Sequence, residues 1–530
     1  MMIDFPQVLG SPYRLSRRGL LGGAGACAAL AMTLPLTSRG VLANPGFTKY
    51  PFSLGVASGE PSPDGVVLWT RLAPEPLDGG GMPMQPVSVE WEVAADEEMK
   101  AVKRKGTTLA RPELGHAVHV EVQGLEPGRW YWYRFSSGSV ASPIGRTRTA
   151  PAANATVERL RFAFASCQHY EKGHYTAHRH LAGEDLELVV FLGDYIYENK
   201  AKDGRPRMHD GPEVETLEEY RNRYALYKLD PDLQAAHAAF PWVVTSDDHE
   251  VVNDYAGDVD RKHETPRDEF LRRRAASYQA YYEHMPLRRS AKPSGPNMAL
   301  YRRLAFGGLA EFNLLDTRQY RTIQPCGEYK DYKNAARCPQ ALDPSATMLG
   351  AVQERWLLEG LGRSRARWNV IAQQVPMMQR IKPRDGEPLF NMDKWDGYPL
   401  ARKTLLDYFA NERPSNPVVL SGDVHANWVG DLLADFDNPG SAIVGAEFVG
   451  TSISSGGDGA DTTSRGLGIV DANAHLKFYN KQRGYVRCTV TPDRWRADCR
   501  VVPFVTRPGA PISTRASFVV ENGVPGVKSA

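Results

Sequence analysis

The sequence predicts an α/β fold in which layered β-sheets are flanked by helices and preceded by a small β-sandwich. From about residue 157, apolar runs of strand length alternate with long helical segments, which is typical of layered α/β domains. Between residues 47 and 150, short β-branched and aromatic runs are separated by Gly/Pro turns. With 530 residues and 42% apolar content, the chain can form two or three domains with large cores. We therefore divide it into residues 1–43, 47–150 and 157–530.

The N-terminus has the features of an export signal. Residues 16–21 (SRRGLL) precede the apolar, Gly/Ala-rich stretch 22–36, and residues 41–43 (VLA) offer a small-residue cleavage site before Asn44. A membrane anchor is the less favoured alternative, because the apolar stretch of about 15 residues is shorter than the roughly 20 that a span needs. Since the arginine pair resembles a twin-arginine signal, we expect the twin-arginine export machinery as a partner and a periplasmic or secreted location. No membrane span is expected in the mature chain.

The segment 47–150 predicts a β-sandwich similar to a fibronectin type III domain. It contains four strand-like runs, VVLWTRL, VSVEWEV, HAVHVEV and RWYWYRF. The stretch GLEPGRWYWYRF, in which a turn leads into an aromatic-rich strand, is typical of a corner of such a domain. We interpret these aromatic residues as core rather than as a platform for carbohydrate.

Two helices of the segment 157–530 are marked at their N-termini. Thr216 is followed three residues later by Glu219, the pattern of a capping box, at the start of TLEEYRNRYALYKL. Pro266, expected at the first helical position, opens PRDEFLRRRAASYQAYYEHM. Helices of this length between apolar strands support the layered α/β assignment.

Charge and cysteine content limit the partner and the compartment. Lys plus Arg number 64 against 62 for Asp plus Glu, so bulk charge gives no reason to expect nucleic-acid binding. Cys326 and Cys338 flank a polar loop, and Cys488 and Cys499 flank two strands joined by a Pro-Asp turn. We expect each pair to form a local disulfide in an oxidising compartment. Cys167 is then left without a partner.

Polar side chains follow the ends of five apolar strands in the segment 157–530. The runs LRFAFAS, LELVVFLG, FPWVVTS, RWNVIA and NPVVLSG are followed by CQH, D, DDHE, QQ and DVH, respectively. Open α/β sheets place their active sites at the carboxyl ends of the strands. We therefore expect these side chains to meet at one edge of one sheet.

Each of these residues also has an ordinary structural explanation. A lone Cys is usually a small core residue, Asp423 and His425 could form a strand-end cap beside a core histidine, and Tyr195 is expected to pack in the core. These explanations do not account for so many groups that are costly to desolvate at the same edge.

Metal binding accounts for these groups jointly. Phenolate and carboxylate are hard donors whereas thiolate and imidazole favour transition metals, so the set predicts two unlike ions, iron beside an oxygen-bound cation.

Four motifs resemble those of the alkaline phosphatase D (PhoD) family, which has the metallophosphoesterase fold. They are SCQ at 166–168, GDYIYE at 193–198, DDHEVVNDYAG at 247–257 and SGDVH at 421–425. The resemblance extends to FSLGVASGEP, to LDTRQYR at 315–321 and to the arginine pair. It implies metallophosphoesterase-type layered β-sheets flanked by helices and preceded by the fibronectin III-like sandwich.

The resemblance also implies a site for two ions, Fe3+ and Ca2+. The implied iron ligands are Cys167, Asp194, Tyr197 and His425. The implied calcium ligands are Asp194, Asp248, Asp423 and, as an addition, Asn253. Asp194 would thus bridge the two ions. Where the wider superfamily begins with an Asp-x-His pair, this chain has Ser166-Cys167-Gln168, so the thiol of Cys167 is interpreted as a substitute ligand.

The implied activity is that of an alkaline phosphatase/phosphodiesterase, which hydrolyses phosphate esters by a metal-activated hydroxide without a covalent serine. Asp194 and His249 would be the catalytic residues, with His249 protonating the leaving oxygen or stabilising charge. A hydrogen bond from His249 to a ligand carboxylate is its alternative role. Arg318 could contact phosphate, but we expect it to pair with Asp316 or with another acid at the sheet edge, outside the site.

Two other functions stay open. A phospholipase D-like phosphodiesterase on the same scaffold should show an apolar channel beside the metals. A secreted binding protein without catalysis would use the β-sandwich to engage a polymer, but it has no need of a full set of metal donors.

Overall fold

The computed structural model describes residue 47, residues 49–262 and residues 264–530. These residues form a mixed α/β fold of stacked sheets and helices, which confirms the predicted fold class. The export signal predicted for residues 1–43 lies outside the described residues. Within the described ranges, no helix combines the length and the apolar character that crossing a bilayer requires.

Strands make up most of the regular structure. In chain order they are β1 (Val56–Ser62), β2 (Gly65–Arg71), β3 (Val87–Ala94), β4 (Val102–Ala110), β5 (Ala117–Val122), β6 (Trp130–Ser137), β7 (Val140–Ala141), β8 (Gly145–Arg148), β9 (Leu160–Ala165), β10 (Leu188–Leu192), β11 (Pro241–Thr245), β12 (Arg302–Phe306), β13 (Ala310–Leu314), β14 (Trp368–Ala372), β15 (Lys382–Arg384), β16 (Glu387–Leu389), β17 (Pro417–Ser421), β18 (Asn427–Leu433), β19 (Ile443–Val449), β20 (Leu476–Asn480), β21 (Arg483–Val490), β22 (Arg494–Val502), β23 (Ser513–Glu521) and β24 (Val524–Ser529). The α-helices are α1 (Thr176–Ala182), α2 (Leu217–Lys228), α3 (Pro231–Ala239), α4 (Arg267–His284), α5 (Gly350–Arg363), α6 (Pro399–Glu412) and α7 (Ser464–Asp471).

The larger sheet has ten strands in the order β24-β23-β22-β21-β9-β10-β11-β1-β2-β5. At its centre β9, β10 and β11 run parallel, so their carboxyl ends lie at one edge. Strand β10, LVVFL, is buried along its whole length. Val189 and Phe191 face one apolar cluster, and Leu188, Val190 and Leu192 face another. A strand that is covered on both faces needs apolar side chains on both, so the sequence of β10 is a continuous apolar run without alternating polar residues.

A second sheet has seven strands in the order β12-β13-β14-β17-β19-β18-β20, with β13, β14, β17 and β19 parallel. The expectation that all five motif-bearing strands belong to one sheet is wrong, because β14 and β17 lie in this sheet and β9, β10 and β11 lie in the other. The two sheets pack face to face through apolar side chains. Phe162 of the larger sheet, for example, makes an edge-to-face contact with Phe312 of the smaller one at 5.2 Å between centroids.

Helices cover the outer faces of both sheets. Side chains of α1, α2, α3 and α4 join Val189, Phe191 and Val244 in one apolar cluster. Side chains of α5, α6 and α7 join Ile371 and Val419 of the seven-stranded sheet in another. The order of layers is therefore helix, sheet, sheet, helix.

The N-terminal sandwich shares strands with the larger sheet. Strands β3, β4, β6, β7 and β8 form a separate five-stranded sheet, whereas β1, β2 and β5 extend the ten-stranded one. The two sheets enclose a core that includes Tyr131, Tyr133 and Phe135 of the aromatic-rich strand. As expected, these aromatic rings are core residues. The segment 47–150 is thus joined to the rest of the molecule through continuous β-sheet pairing.

Both marked helices form. The Thr216 side chain accepts a hydrogen bond from the backbone N–H of Glu219, and the Glu219 carboxylate accepts one from the N–H of Thr216 at 2.9 Å. This is the predicted capping box at the start of α2. Helix α4 begins at Arg267, one residue later than predicted, with Pro266 at the N-cap.

Of the two predicted disulfides, one is present. Cys326 and Cys338 are joined, with 5.5 Å between their Cα atoms. The predicted Cys488–Cys499 disulfide is wrong, since both thiols are free and buried. In the hairpin of β21 and β22, Cys488 lies opposite Ala497 rather than opposite Cys499. Diagonal side chains of this kind are roughly 7–8 Å apart, too far for a disulfide without backbone movement.

Candidate metal centre

The predicted ligands lie where the strands of the two facing sheets end. Cys167 follows β9, Asp194 follows β10 and Asp248 follows β11 of the larger sheet. Asp423 and His425 follow β17 of the smaller sheet. The predicted convergence at strand ends therefore occurs, but across two sheets.

Four of the ligand candidates have a left-handed backbone. The φ angles are 60° at Cys167, 56° at Asp194, 66° at Asp423 and 54° at His425. Such angles are uncommon for residues other than glycine and cost of order 1–3 kcal/mol each, and they cluster at functional sites. Four of the fourteen described non-glycine residues with a positive φ therefore carry candidate donor atoms.

Two glycines allow the strand ends to approach closely. Gly193 has a φ of 95°, and a Cβ placed on it would lie 2.5 Å from the backbone nitrogen of Asp247. A Cβ on Gly422 would lie 2.4 Å from Oγ of Ser166, across the gap between the two sheets. The repeated Gly-Asp motif thus combines close backbone contact with a carboxylate at the next position.

Cys167, Tyr197 and His425 form what we call the thiol side of the site. Ligand atoms of Cys167, His425 and the neighbouring Asp194 all lie within 4.8 Å of one another. The Tyr197 hydroxyl donates to Oδ2 of Asp194 at 2.7 Å and lies 3.3 Å from Nε2 of His425. The structure therefore brings together the four residues predicted as iron ligands.

Asp247, Asp248 and Asp423 form the carboxylate side. Their oxygens lie within 4.8 Å of one another, and Asp194, Asp248 and His249 form a further group at the same spacing. Asp194 therefore belongs to donor groups with Cys167 and with Asp248, which is where a bridging ligand would lie. Asp247 was missed in the sequence, although its position beside Asp248 in DDHE was a usable signal.

Asn253 lies in the same cavity but faces a different neighbour. Its Nδ2 donates to Oδ2 of Asp254 at 2.6 Å, and its backbone N–H donates to Glu198 at 3.1 Å. Asp254 in turn donates its backbone N–H to Asp248 at 2.7 Å. The structure thus places Asn253 beside the carboxylate side, with its amide turned towards Asp254.

Buried cations neutralise the carboxylate side. Arg318 is fully buried, and its Nε lies 2.5 Å from Oδ1 of Asp247 while its Nη2 lies 3.6 Å from Asp248 and 3.5 Å from Asp423. The Nζ of Lys394 lies 2.5 Å from Oδ2 of Asp423. Arg318 was expected to pair with an acid at the sheet edge but was placed outside the site, whereas it contacts three aspartates of the carboxylate side. Lys394 was not predicted from the sequence.

The expected pairing of Arg318 with an acid at the sheet edge is confirmed, and that acid is not Asp316. Asp316 accepts a hydrogen bond from the backbone N–H of Arg318 at 2.9 Å, while the guanidinium points to Asp247 and Asp393. Tyr195, expected as a core residue, is buried and its hydroxyl lies 2.8 Å from Nε2 of His237. The second tyrosine of GDYIYE, Tyr197, is therefore the one at the site.

The electrostatics of these residues fit bound cations. Burial raises the pKa of the Cys167 thiol and of the Tyr197 phenol well above their usual ranges, and Asp194 adds to both shifts. Oδ2 of Asp247 and Oδ1 of Asp248 are buried and accept no hydrogen bond from any described residue. Buried acceptors without a donor are costly, and a cation would satisfy them. Sulfur, phenol and imidazole beside clustered carboxylates fit two unlike cations.

His249 is held by a buried carboxylate. Its Nδ1 lies 2.6 Å from Oε2 of Glu198, and its ring packs against Tyr197 with 4.0 Å between centroids. Burial by itself would lower the pKa of the His249 imidazole, but the carboxylates of Glu198, Asp194 and Asp248 outweigh it and hold that pKa well above its usual range. Glu198 is not among the predicted ligands, so the side chain of His249 is oriented by a residue outside the ligand set.

A cavity of about 360 Å³ opens beside these groups. Its lining includes Asp194, Asp248, His249, Asp423 and His425. A cavity of this size accepts a small ester or the reacting end of a longer one.

Comparison with known proteins gives consistent matches over the chain. The model of the PhoD-like phosphatase family matches residues 162–499, and that of the PhoD-like phosphatase N-terminal domain matches residues 38–151. Alkaline phosphatase D of Bacillus subtilis (strain 168) is 52% identical over 521 residues, which cover 97% of this chain and 88% of that protein. A solved structure of PhoD superposes with a TM-score of 0.89 at 53% identity, covering 92% of this chain and 93% of that one.

Proposed function

Because the chain belongs to the PhoD-like phosphatase family and is a phosphoric ester hydrolase, we propose that it hydrolyses phosphate mono- and diesters with Fe3+ on the thiol side and Ca2+ on the carboxylate side. The observation that carries this proposal is that Asp194 belongs to donor groups with Cys167 and with Asp248. One carboxylate shared between sulfur-containing and oxygen-only donors supports two unlike ions side by side.

The proposed ligands divide between the two ions. Iron would be held by Cys167, Asp194, Tyr197 and His425. Calcium would be held by Asp194, Asp248, Asn253 and Asp423. Asp247, whose second carboxylate oxygen has no donor among the described residues, is added as a further candidate for calcium. Bound together, the two ions would lower the pKa of a water molecule and neutralise charge on the phosphate oxygens.

The chain's own residues would orient the ester and supply the proton. We assign His249 to protonation of the leaving-group oxygen, because it lies in the cavity and Glu198 fixes the direction of its ring. Burial would raise the pKa of Glu198, but His249 and Lys262 outweigh it and lower that pKa to about 2, so Glu198 stays an anion beside the imidazole. Asp194 would be the second catalytic residue, because it is the ligand that both ions share.

Export is part of the proposal and is supported by sequence alone. The stretch 16–21, SRRGLL, followed by an apolar segment, supports export by the twin-arginine machinery to a periplasmic or secreted location. No observation favours the phospholipase D-like alternative. The described residues that line the cavity away from the carboxylates include several cations, where a lipid-binding channel would be apolar.

Metal analysis of the natively purified protein, combined with a substrate panel, tests the proposal. We expect iron and calcium, a visible charge-transfer colour, and hydrolysis of both 4-nitrophenyl phosphate and bis(4-nitrophenyl) phosphate. A colourless, fully active protein that contains only zinc would contradict the metal assignment. Faster cleavage of phosphatidylcholine than of either nitrophenyl ester would favour the phospholipase alternative.

A further inference from the structure

A serine outside the predicted ligand set contacts two of the proposed iron ligands. Oγ of Ser455 lies 2.7 Å from the hydroxyl oxygen of Tyr197 and 2.7 Å from the carbonyl oxygen of Cys167. It also accepts a hydrogen bond from the backbone N–H of His169 at 3.0 Å, and the side chain is buried. A hydroxyl has only one hydrogen to donate. Ser455 can therefore donate either to Tyr197 or to the Cys167 carbonyl, but not fully to both.

The Cys167 carbonyl does not depend on this hydroxyl. It also accepts hydrogen bonds from the backbone N–H of Ser455 at 3.2 Å and from that of Ser454 at 3.4 Å. A carbonyl oxygen has two lone pairs, so two backbone donors are enough to satisfy it. The hydrogen of the Ser455 hydroxyl is therefore available to Tyr197 without leaving a buried acceptor unpaired.

The Tyr197 ring is held in place by packing. Its centroid lies 4.3 Å from that of the His169 ring and 4.0 Å from that of the His249 ring. Its hydroxyl donates to Oδ2 of Asp194 at 2.7 Å, so the remaining lone pairs of the phenol oxygen can accept from Ser455. The phenol oxygen is thus fixed within hydrogen-bond distance of the serine.

The backbone of Ser455 is fixed as well. Its carbonyl accepts hydrogen bonds from Nη1 of Arg483 at 2.8 Å and from the Ser452 hydroxyl at 2.7 Å. The same Nη1 donates to the carbonyl of His425 at 2.9 Å. Ser452 forms a β-bridge with Ser166, which precedes the thiol-bearing residue. The serine is therefore anchored to both sheets by contacts that involve no metal ligand side chain.

We propose that Ser455 is a positioning residue that donates a hydrogen bond to the oxygen of Tyr197 when this oxygen binds iron. The proposal rests on the proposed function, in which Tyr197 is an iron ligand. As a ligand the phenol oxygen is anionic and no longer donates to Asp194, and a hydrogen bond to an anionic oxygen is roughly twice as strong as a neutral one. Hydrogen bonds to ligands orient them and tune the metal. Ser455 would thus set the iron affinity and the energy of the charge-transfer band.

Ser455→Ala in the natively purified enzyme tests this role. Without the donor, the electrons on the Tyr197 oxygen are held less tightly, so the charge-transfer band should move to longer wavelength. The dissociation constant for Fe3+ should rise by about 10–100-fold, the range typical of residues that hydrogen-bond to metal ligands. Ser455→Thr keeps the hydroxyl, so its band and affinity should stay close to native. Absorbance gives the position of the band, and competition with citrate for Fe3+ gives the affinity.

Ser454→Ala is the matched control. Ser454 is a buried serine of the same loop, and its hydroxyl donates to the carbonyl of His169 at 2.9 Å rather than to Tyr197. This variant should keep the native band and the native affinity for Fe3+, because it leaves the proposed donor in place.

Resonance Raman scattering of the unmodified enzyme gives a second measurement that needs no variant to fold. With excitation in the charge-transfer band, the C–O stretch of Tyr197 should shift when H2O is exchanged for D2O, because the hydrogen of the Ser455 hydroxyl exchanges with solvent. An unshifted band in Ser455→Ala, an equal shift in Ser454→Ala, or a C–O stretch that is the same in both solvents would overturn this role of Ser455. A native enzyme without iron or without the band would instead count against the proposed function.

Discussion

The two sides of the metal centre each lie against a fully buried arginine, but the two arginines have different partners. On the carboxylate side, Arg318 lies 2.5–3.6 Å from three aspartates of that side and 2.9 Å from Asp393. On the thiol side, Nη1 of Arg483 donates to the carbonyls of Ser455 at 2.8 Å and His425 at 2.9 Å, which are neutral groups. The charge of Arg318 is therefore balanced by ion pairs, whereas the charge of Arg483 is held by neutral hydrogen-bond acceptors.

This difference predicts different behaviour of the two ions. Burial keeps protons on Cys167 and Tyr197, so a cation that binds there must displace them and gains strong anionic ligands in return. On the carboxylate side, burial would raise the pKa of Asp248, but Arg318 outweighs it and lowers that pKa, so this carboxylate is already charged, whereas burial raises the pKa of Asp247 well above its usual range. A cation there competes with Arg318 and Lys394. We therefore expect tightly held iron and exchangeable calcium.

The largest expected effect comes from the residue that both sides share. Asp194→Asn keeps the shape of the side chain but removes the charge that links the two donor groups, so both ions should bind poorly. We expect kcat/KM for 4-nitrophenyl phosphate to fall by at least about 10³-fold, which is about 4 kcal/mol, and the content of both metals to fall.

Asp431→Asn is the matched control, because Asp431 is also a buried aspartate but accepts a hydrogen bond from Val527, outside the donor groups. It should keep both metals. Normal content of either ion in Asp194→Asn would show that the two sides do not depend on a shared ligand.

Calcium removal tests the predicted exchange directly. A calcium-selective chelator should reduce activity by about 10²-fold or more while leaving the charge-transfer band in place, and added calcium should restore the rate. Absorbance and activity are followed on the same sample. Full activity after exhaustive chelation, or loss of colour together with activity, would remove the distinction between the sides.

Loss of the Cys167 thiol should affect only the thiol side of the metal centre. Cys167→Ser replaces a thiolate donor by a hydroxyl that stays protonated, so iron content and colour should fall and activity should decrease by about 10²-fold, with calcium binding retained. Cys488→Ser is the matched control, since Cys488 is also a free, buried thiol but lies in the core between the sheets. It should keep its iron and colour. Normal colour in Cys167→Ser would exclude sulfur as a ligand.

Local signals located donor residues at the ends of strands but not their surroundings, and the assignment of those residues to two ions came from the family resemblance. Cys167, Asp194, Asp423 and His425 each follow a continuous apolar run, and that pattern depends only on neighbouring residues. The division of their strands between two sheets depends on which strands pair, which adjacent residues do not specify. Arg318 reaches the site from a distant segment for the same reason.

The wrong disulfide has a related cause. The turn between Cys488 and Cys499 was recognised, but the pairing register that places Cys488 opposite Ala497 was not, and a shift of two residues decides whether two sulfurs can join.

The smallest expected effect comes from the disulfide that is present, because it supports only one side. The loop closed by Cys326 and Cys338 carries Tyr332, whose hydroxyl donates to Oδ2 of Asp254 at 2.9 Å, and Lys333, which pairs with the same carboxylate. Asp254 donates its backbone N–H to Asp248. Opening the loop with Cys326→Ser and Cys338→Ser should loosen this support and weaken calcium affinity by about 3–10-fold, below the 10–100-fold typical of residues that contact a ligand directly. The charge-transfer band should not shift, since no residue of the loop contacts the thiol side among the described contacts.

Calcium affinity is measured by titrating activity with calcium, and the absorbance of the same sample is followed throughout. A shifted band with unchanged calcium affinity would contradict the assignment of this loop to the carboxylate side.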